Sequence, residues 1–289
     1  MINRILAGVS ASALLTIAGP VWAQTGGNAS EALANQFDAE DDIVTVYGTY
    51  SPVRVFEFPG QVGVVTREEI ELFAPSTISD ALRDVPGVEF SGGPRRTGET
   101  PSIRGRGGEN VLILLDGARQ SFISAHDGRF FLDPDLVKSA EVVKGPASSL
   151  YGSGAVGGVL AFETVDASDF LDEGETAGAR LRLGYQSVNE DLLGTLTAYT
   201  QQGALDLVGS VGLRGSGDIE LGSGATLPSD DDIQNYFLKG GYDVSDALRI
   251  EASYQRFQNT AIEPNNGQGV AIGNDVEKDI ATDTFRFSG

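Results

Sequence analysis

The run Leu248-Arg249-Ile250-Glu251-Ala252-Ser253-Tyr254-Gln255 alternates apolar and polar residues with a period of two. Successive side chains of a strand point to opposite faces, so Leu248, Ile250, Ala252 and Tyr254 share one face and the polar residues share the other. The same grammar holds on both sides of it. In Ala179 to Gln186, Ala179, Leu181, Leu183 and Tyr185 oppose Arg180, Arg182 and Gln186. In Leu205 to Arg214, Leu205, Leu207, Val211 and Leu213 oppose Asp206, Ser210 and Arg214, and Tyr236, Leu238, Tyr242 and Val244 repeat the pattern. A half-buried soluble sheet alternates in the same way. Length decides between the two: segments of about ten residues suit a tilted membrane-spanning strand, whereas soluble strands average about five or six.

The connections agree. They are short at Val188 to Asp191, at Gln202-Gly203 and at Asp243 to Asp246, and long at Gly215 to Asp231 and Gln258 to Lys278. With the first strand running outward, both long connections lie outside and the turns at Gln202 and Asp243 lie in the periplasm, which is the loop asymmetry of outer-membrane barrels. Tyr and Phe residues near strand ends fit aromatic girdles. The stretch after Ala179 has room for five or six strands, fewer than the roughly eight that close a single-chain barrel, and Thr282 to Gly289 stop inside a strand. The expectation is the start of a barrel, incomplete here, with an unpaired edge.

Upstream, from about Phe56 to Thr164, the pattern is that of a small α+β domain. Val62 to Val65, Val111 to Leu115, Ala140 to Val143 and Gly157 to Thr164 read as short strands. Thr66-Arg67-Glu68-Glu69 is a capping box opening a helix through Phe73, stopped by Pro75. Ser76 to Asp84 reads as a second helix, with Ile78, Ala81, Leu82 and Val85 on one stripe and Pro86-Gly87 as its stop. Asp116-Gly117 is a turn.

The N-terminus reads as a signal peptide: Arg4, an apolar core from Ile5 to Gly19, and Pro20-Val21-Trp22-Ala23 with small residues placed for cleavage before Gln24. No later stretch approaches the ~20 apolar residues of a spanning helix. Gln24 to Asp42 is an acidic, polar linker, followed by the strand-forming run Ile43-Val44-Thr45-Val46-Tyr47. The chain has 289 residues, no cysteine, one histidine and a formal net charge of −21. That charge argues against nucleic-acid binding, which needs a basic face. The lack of cysteine excludes disulfides and thiolate sites.

Gly152-Ser153-Gly154-Ala155-Val156-Gly157 matches the spacing of a dinucleotide loop. Such a site needs a strand before the glycines and a helix after them. Here helix-like Ala147 to Leu150 precedes and a strand follows, so the run reads as a tight turn. No catalytic constellation emerges, and the chain reads as a non-enzyme. Arg104 and Arg106, in Ile103-Arg104-Gly105-Arg106, read either as an exposed basic turn or as clamps on carboxylates of a barrel wall.

Taken in order, several segments resemble the TonB-dependent receptors of Gram-negative outer membranes. Asp42-Ile43-Val44-Thr45-Val46 is similar to a TonB box. Val85-Pro86-Gly87-Val88, Ile103-Arg104-Gly105, Leu115-Asp116-Gly117 and Val142-Val143-Lys144-Gly145-Pro146 through Tyr151 to Gly158 are similar to the family's plug motifs. The resemblance implies a signal peptide over 1–23, a linker with TonB box over 24–50, an α+β plug domain over 51–170 and the first barrel strands over 171–289, of about 22 strands in the complete transmembrane antiparallel β-barrel.

Asp116-Gly117-Ala118-Arg119-Gln120, Ala125-His126-Asp127-Gly128-Arg129-Phe130-Phe131-Leu132-Asp133-Pro134 and Ala161 to Leu171 resemble the haem and haemoglobin receptor branch. That implies TonB-dependent import of haem, free or from haemoproteins, with His126 as a plug ligand to the haem iron; a neutral imidazole can donate its lone pair there. The implied partners are TonB, haem or a haemoprotein, and outer-membrane lipid. Haem is cargo, and no cofactor is permanently bound. A siderophore or another scarce nutrient is the alternative cargo.

Overall fold

In the computed structural model the described residues are 43–44, 53–54, 60–92, 96–122, 124, 127–245, 247–265 and 275–289. Two short strands, β1 (Ile43–Val44) and β2 (Val53–Arg54), pair antiparallel, Ile43 opposite Arg54 and Val44 opposite Val53. They belong to the unit Met1–Phe58. All further elements belong to the unit Pro59–Gly289.

That second unit opens with β3 (Gln61–Val65), α1 (Arg67–Phe73) and α2 (Ile78–Leu82). Thr66 caps α1 as its motif requires. Its Oγ1 accepts from the Glu69 amide at 3.3 Å, and its own amide donates to Glu69 Oε2 at 2.9 Å. Ala74, in the left-handed region at φ 45°, ends the helix. Thr77 caps α2, accepting from the Asp80 amide at 3.2 Å. The second helix is shorter than Ser76 to Asp84 because Ser76 and Thr77 are spent on capping: the Ser76 hydroxyl donates to Asp80 Oδ2 at 2.6 Å.

Next come β4 (Val88–Ser91), β5 (Thr100–Ile103), β6 (Arg106–Gly107), β7 (Val111–Leu115), β8 (Ala118–Arg119), β9 (Val137–Lys144), α3 (Ser148–Tyr151) and β10 (Gly158–Thr164). They form a five-stranded sheet of order β3-β9-β10-β7-β8, with β10 and β7 parallel, and a three-stranded sheet β4-β5-β6. The four expected strands are all present. The additional ones are pieces of two to four residues, too short for apolar periodicity to show. Val65, Ile70, Leu82, Ile103, Ile113, Val142, Leu160 and Phe162 meet in one core between the sheet and the two helices. Each such side chain, fully buried, contributes about 1.5–3 kcal/mol.

The glycine run after α3 is a turn into β10. Helix precedes and strand follows, the inverse of a dinucleotide site. At Gly157 a Cβ would collide with that of Arg106, so the close passage of β6 requires glycine there.

Six long antiparallel strands follow, in the order β11-β12-β13-β16-β17-β18: β11 (Ala177–Gln186), β12 (Asp191–Gln202), β13 (Leu205–Ser216), β16 (Asp231–Ser245), β17 (Leu248–Pro264) and β18 (Asp275–Ser288). A small hairpin, β14 (Ile219–Glu220) with β15 (Thr226–Leu227), stands in the long connection before β16. One face of the sheet carries Leu181, Leu183, Leu196, Val211, Leu238 and Phe285, all exposed, with Leu183 at 73% and Phe285 at 76%. The other face carries Asp191, Thr195, Asp206, Arg214, Asp231, Asn235, Lys239, Gln255 and Glu263, all buried. Apolar outside and polar inside is the inversion that a lipid-facing barrel wall demands.

Strand β17 runs on to Pro264, paired with Asp275, so the second long connection is shorter than Gln258 to Lys278. Ladder hydrogen bonds continue there through a segment whose outward residues, Gln258, Thr260 and Ile262, no longer form an unbroken apolar row. The sheet is open, with β11 and β18 at its edges.

Candidate functional site

The buried polar face of the long sheet is where the α+β domain docks, and the contacts gather into two clusters. The first lies at the strand ends shared by the long connections. Arg96, on the 3-10 turn Arg96–Gly98, reaches Asp191 Oδ2 at 2.5 Å and Asp231 Oδ2 at 2.9 Å, so one guanidinium spans the first residues of β12 and β16. Burial by itself lowers the affinity of Arg96 for its proton, but Asp231 and Asp191 outweigh it and the net shift is upward. Asn259 Nδ2 donates to the same Asp231 at 2.7 Å. Arg214 of β13 donates to the Ser76 carbonyl at 2.6 Å. Thr97 donates to Glu263 Oε1 at 2.9 Å. Lys278 Nζ lies 3.3 Å from that oxygen and 2.9 Å from Asp127 Oδ1. Asp127 Oδ2 in turn accepts from the Ser124 hydroxyl at 3.0 Å.

The second cluster lies deeper along the strands. Lys239 of β16, 2% exposed, donates to the Thr164 carbonyl at 3.1 Å and pairs with Asp166 at 2.9 Å. Asp116 accepts from the Thr164 amide at 2.7 Å and hydroxyl at 2.8 Å, which locks the Asp116-Gly117 turn to the end of β10. Arg286 of β18 pairs with Glu251 at 2.8 Å and lies 3.8 Å from Asp116. Arg182 pairs with Asp135, whose other oxygen accepts from Thr195 at 3.1 Å. Asn235 donates to Asp133 at 2.8 Å. An aromatic column crosses the same seam: Phe122 meets Phe131 at 5.7 Å, and Phe131 stacks on Phe257 of β17 at 5.2 Å.

Within the α+β domain, Glu99 is pushed up from the usual carboxylate range by burial. It accepts from the Ser79 hydroxyl at 2.5 Å. Arg129 is lowered by burial and spends its guanidinium on the carbonyls of Gly108 and Val111.

The residues singled out from the sequence fall as follows. Asp42, Thr45, Val46 and His126 lie outside the described residues. Ile43 and Val44 are strand β1. Arg104 has φ 52° and donates to the Gln61 side chain, and Arg106 stands exposed on β6, paired with Ile103. The clamp on wall carboxylates seen in the structure is Arg96. It carries no motif, and its partners Asp191 and Asp231 read in the sequence only as the ends of connections; in the structure they are the first, inward-facing residues of β12 and β16, where a carboxylate needs a partner.

Residues 54–159 match the family model of the TonB-dependent receptor plug domain. The chain belongs to the TonB-dependent receptors. The receptor is 37% identical over 227 residues to the hemin receptor of Yersinia pestis, covering 78% of this chain and 34% of that protein. It is 32% identical over 250 residues to the heme/hemopexin utilization protein C of Haemophilus influenzae, covering 86% and 34%. Among solved structures it is similar to the FrpB iron transporter of Neisseria meningitidis (F3-3 variant), with a TM-score of 0.71 and 26% identity over 78% of this chain and 37% of that one. The chain thus spans about a third of the length of the relatives it matches. The α+β domain is the plug, the long sheet is barrel wall, and the two clusters are the plug–wall seam.

Proposed function

We propose that the receptor imports haem across the outer membrane, energised by TonB, without covalent chemistry. The observation that carries the reading is the 37% identity over 227 residues to a hemin receptor. The Asp116-to-Pro134 resemblance, with the single histidine inside it, supports the same cargo. Haem or a haemoprotein binds at the outer face, where His126 supplies an axial nitrogen to the iron. The wall seals the lumen by holding the plug through Arg96, Lys239 and Arg182. Breaking such buried pairs costs several kcal/mol each, so the seam does not open by thermal motion alone.

The work comes from TonB. The run Ile43 to Tyr47 is rich in strand formers, and an extended segment of this kind adds to a sheet edge through main-chain hydrogen bonds. The pairing of Ile43 and Val44 with Val53 and Arg54 is short, so TonB competes for it at little cost. Arg104, which donates to Gln61, and Arg106, exposed on β6, are left to the reading of an exposed basic turn. Haem is cargo, and no resident cofactor takes part.

The test is a haemin titration of the full-length receptor followed in the Soret band, wild type against His126→Ala. A saturable shift that weakens in the variant is expected. No shift in the wild type moves the cargo to a siderophore or another nutrient.

A further inference from the structure

Strand β11 places Arg180 and Arg182 on its inward face, alternating with Leu181 and Leu183 on the lipid face. At the rise of a strand the two side chains leave the wall about 7 Å apart, one above the other. Arg214 of β13 continues the column outward: Arg182 lies level with Gly212 across β12, and Arg214 stands two positions beyond it. The two arginines of β11 both hold the plug. Arg180 pairs with Glu71 of α1 at 2.5 Å, and Arg182 pairs with Asp135 in the turn before β9. Among the described residues neither pairs with a carboxylate of the wall. Beside them a cavity of about 370 Å³ opens between the plug helices and the wall, with Phe73, Arg83, Arg182, Gln186, Asp191 and Arg214 in its lining. The wall is thus basic where the plug is acidic, and when the plug shifts, the carboxylates leave with it while the cations stay on the sheet. We infer that Arg180 and Arg182 are carboxylate-exchange sites: with the plug seated they hold Glu71 and Asp135, and during import they take the carboxylates of the cargo instead. The assignment rests on the haem reading, because haem carries two propionate carboxylates.

Several features favour exchange over simple fastening. A guanidinium fork matches any carboxylate, so the cargo's groups fit where the plug's groups were. Pulling a plug carboxylate away leaves a desolvated cation, which is unfavourable until another anion arrives. A cargo that supplies that anion offsets the cost of opening the seam at the moment it passes. The side chains of Arg180 and Arg182 are 35% and 20% exposed, within reach from the cavity, whereas Arg96 at 12% and Lys239 at 3% are enclosed. A chain of net charge −21 has no general attraction for an anionic cargo, so cations on the lumen side are where such a cargo is selected.

The experiment uses the full-length receptor in iron-starved cells, with haemin and haemin dimethyl ester, which lacks both carboxylates, as probes. The rate of uptake of each is divided by the amount bound at the cell surface. Wild type is compared with the double variant Arg180→Gln/Arg182→Gln and with Glu71→Gln/Asp135→Asn. The two double variants break the same two ion pairs from opposite sides, so a merely structural role changes both alike. In wild type, haemin is expected to cross at least ~10-fold faster than the ester, the worth of one or two charge-assisted hydrogen bonds. That preference is expected to fall to within about twofold in the arginine variant and to persist in the carboxylate variant. If the arginine variant does not reach the membrane, Arg180→Gln alone is expected to cut the preference at least ~3-fold. A wild type that takes up haemin and ester equally, a preference retained without the arginines, or its equal loss in both double variants overturns the inference and leaves the haem reading intact. A wild type that takes up no haemin removes both.

Discussion

Arg96 neutralises two buried carboxylates on different strands, and Arg214 stands 3.7 Å from one of them, Asp191, as a second cation. Removing one partner of a buried pair costs about 3–5 kcal/mol, because the charge left behind stays desolvated. Arg96→Met removes the ion pair of Asp231 and leaves Asp191 with Arg214 at 3.7 Å. Amide hydrogen exchange of the Thr100–Ile103 strand in the full-length receptor is expected to speed up to match a loss of that size, with little change at the far edge of the sheet. Exchange unchanged from wild type would mean that the clamp contributes nothing to holding the plug.

Glu99 behaves in the opposite sense. Burial raises its folded-state pKa above its unfolded value, so its contribution to stability is fully present below the unfolded pKa and is lost as pH rises through the folded one. Glu99→Gln removes that loss. The variant's thermal midpoint is expected to exceed the wild-type value at pH 8 by more than at pH 4, and an equal difference at both would contradict the assignment. The partners of these residues could not be read from the sequence. Arg96 and Asp191 are 95 positions apart, and Thr97 and Glu263 are 166 apart. Inward parity marks a carboxylate as needing a cation but does not say which one.

At the scale of elements, whatever is local was legible. The Thr66 capping box is present as its four residues imply. Thr66→Ala is expected to cost about 0.5–2 kcal/mol in the stability of the plug, measured by denaturant unfolding. The glycine turn into β10 was legible from the order of its flanking elements. Strands β4, β5 and β6 were not, because runs such as Thr100-Pro101-Ser102-Ile103 owe their extended form to neighbours rather than to their own pattern. The outer extensions of β17 and β18 were missed for a related reason: Gln258 to Lys278 reads as one connection, and pairing continues beyond the part of each strand where apolar and polar residues alternate regularly.

The lipid face itself gives a test at this scale. Leu181, Leu196 and Val211 form one exposed row across β11, β12 and β13. Leu196→Arg is expected to lower the stability of the folded barrel in lipid vesicles by about 2–4 kcal/mol if the row lies near the midplane, whereas a soluble sheet would accept arginine at an exposed position almost freely.

For the whole molecule, period-two segments of membrane-spanning length and loops that alternate short and long were enough to identify barrel wall, because lipid inverts the usual burial and leaves no other use for an apolar exterior. The plug was legible through its ordered motifs. What joins the two is a seam of ion pairs that must hold against diffusion and yield to force. On the proposed function that force is TonB's, applied through residues 42–46 and delivered only when cargo is bound. The direct test is haemin uptake by iron-starved cells that carry the full-length receptor, with and without Ile43 to Tyr47. Uptake in the wild type that is abolished in the deletion, while haemin binding at the cell surface persists, is the predicted result. Undiminished uptake in the deletion would contradict the account.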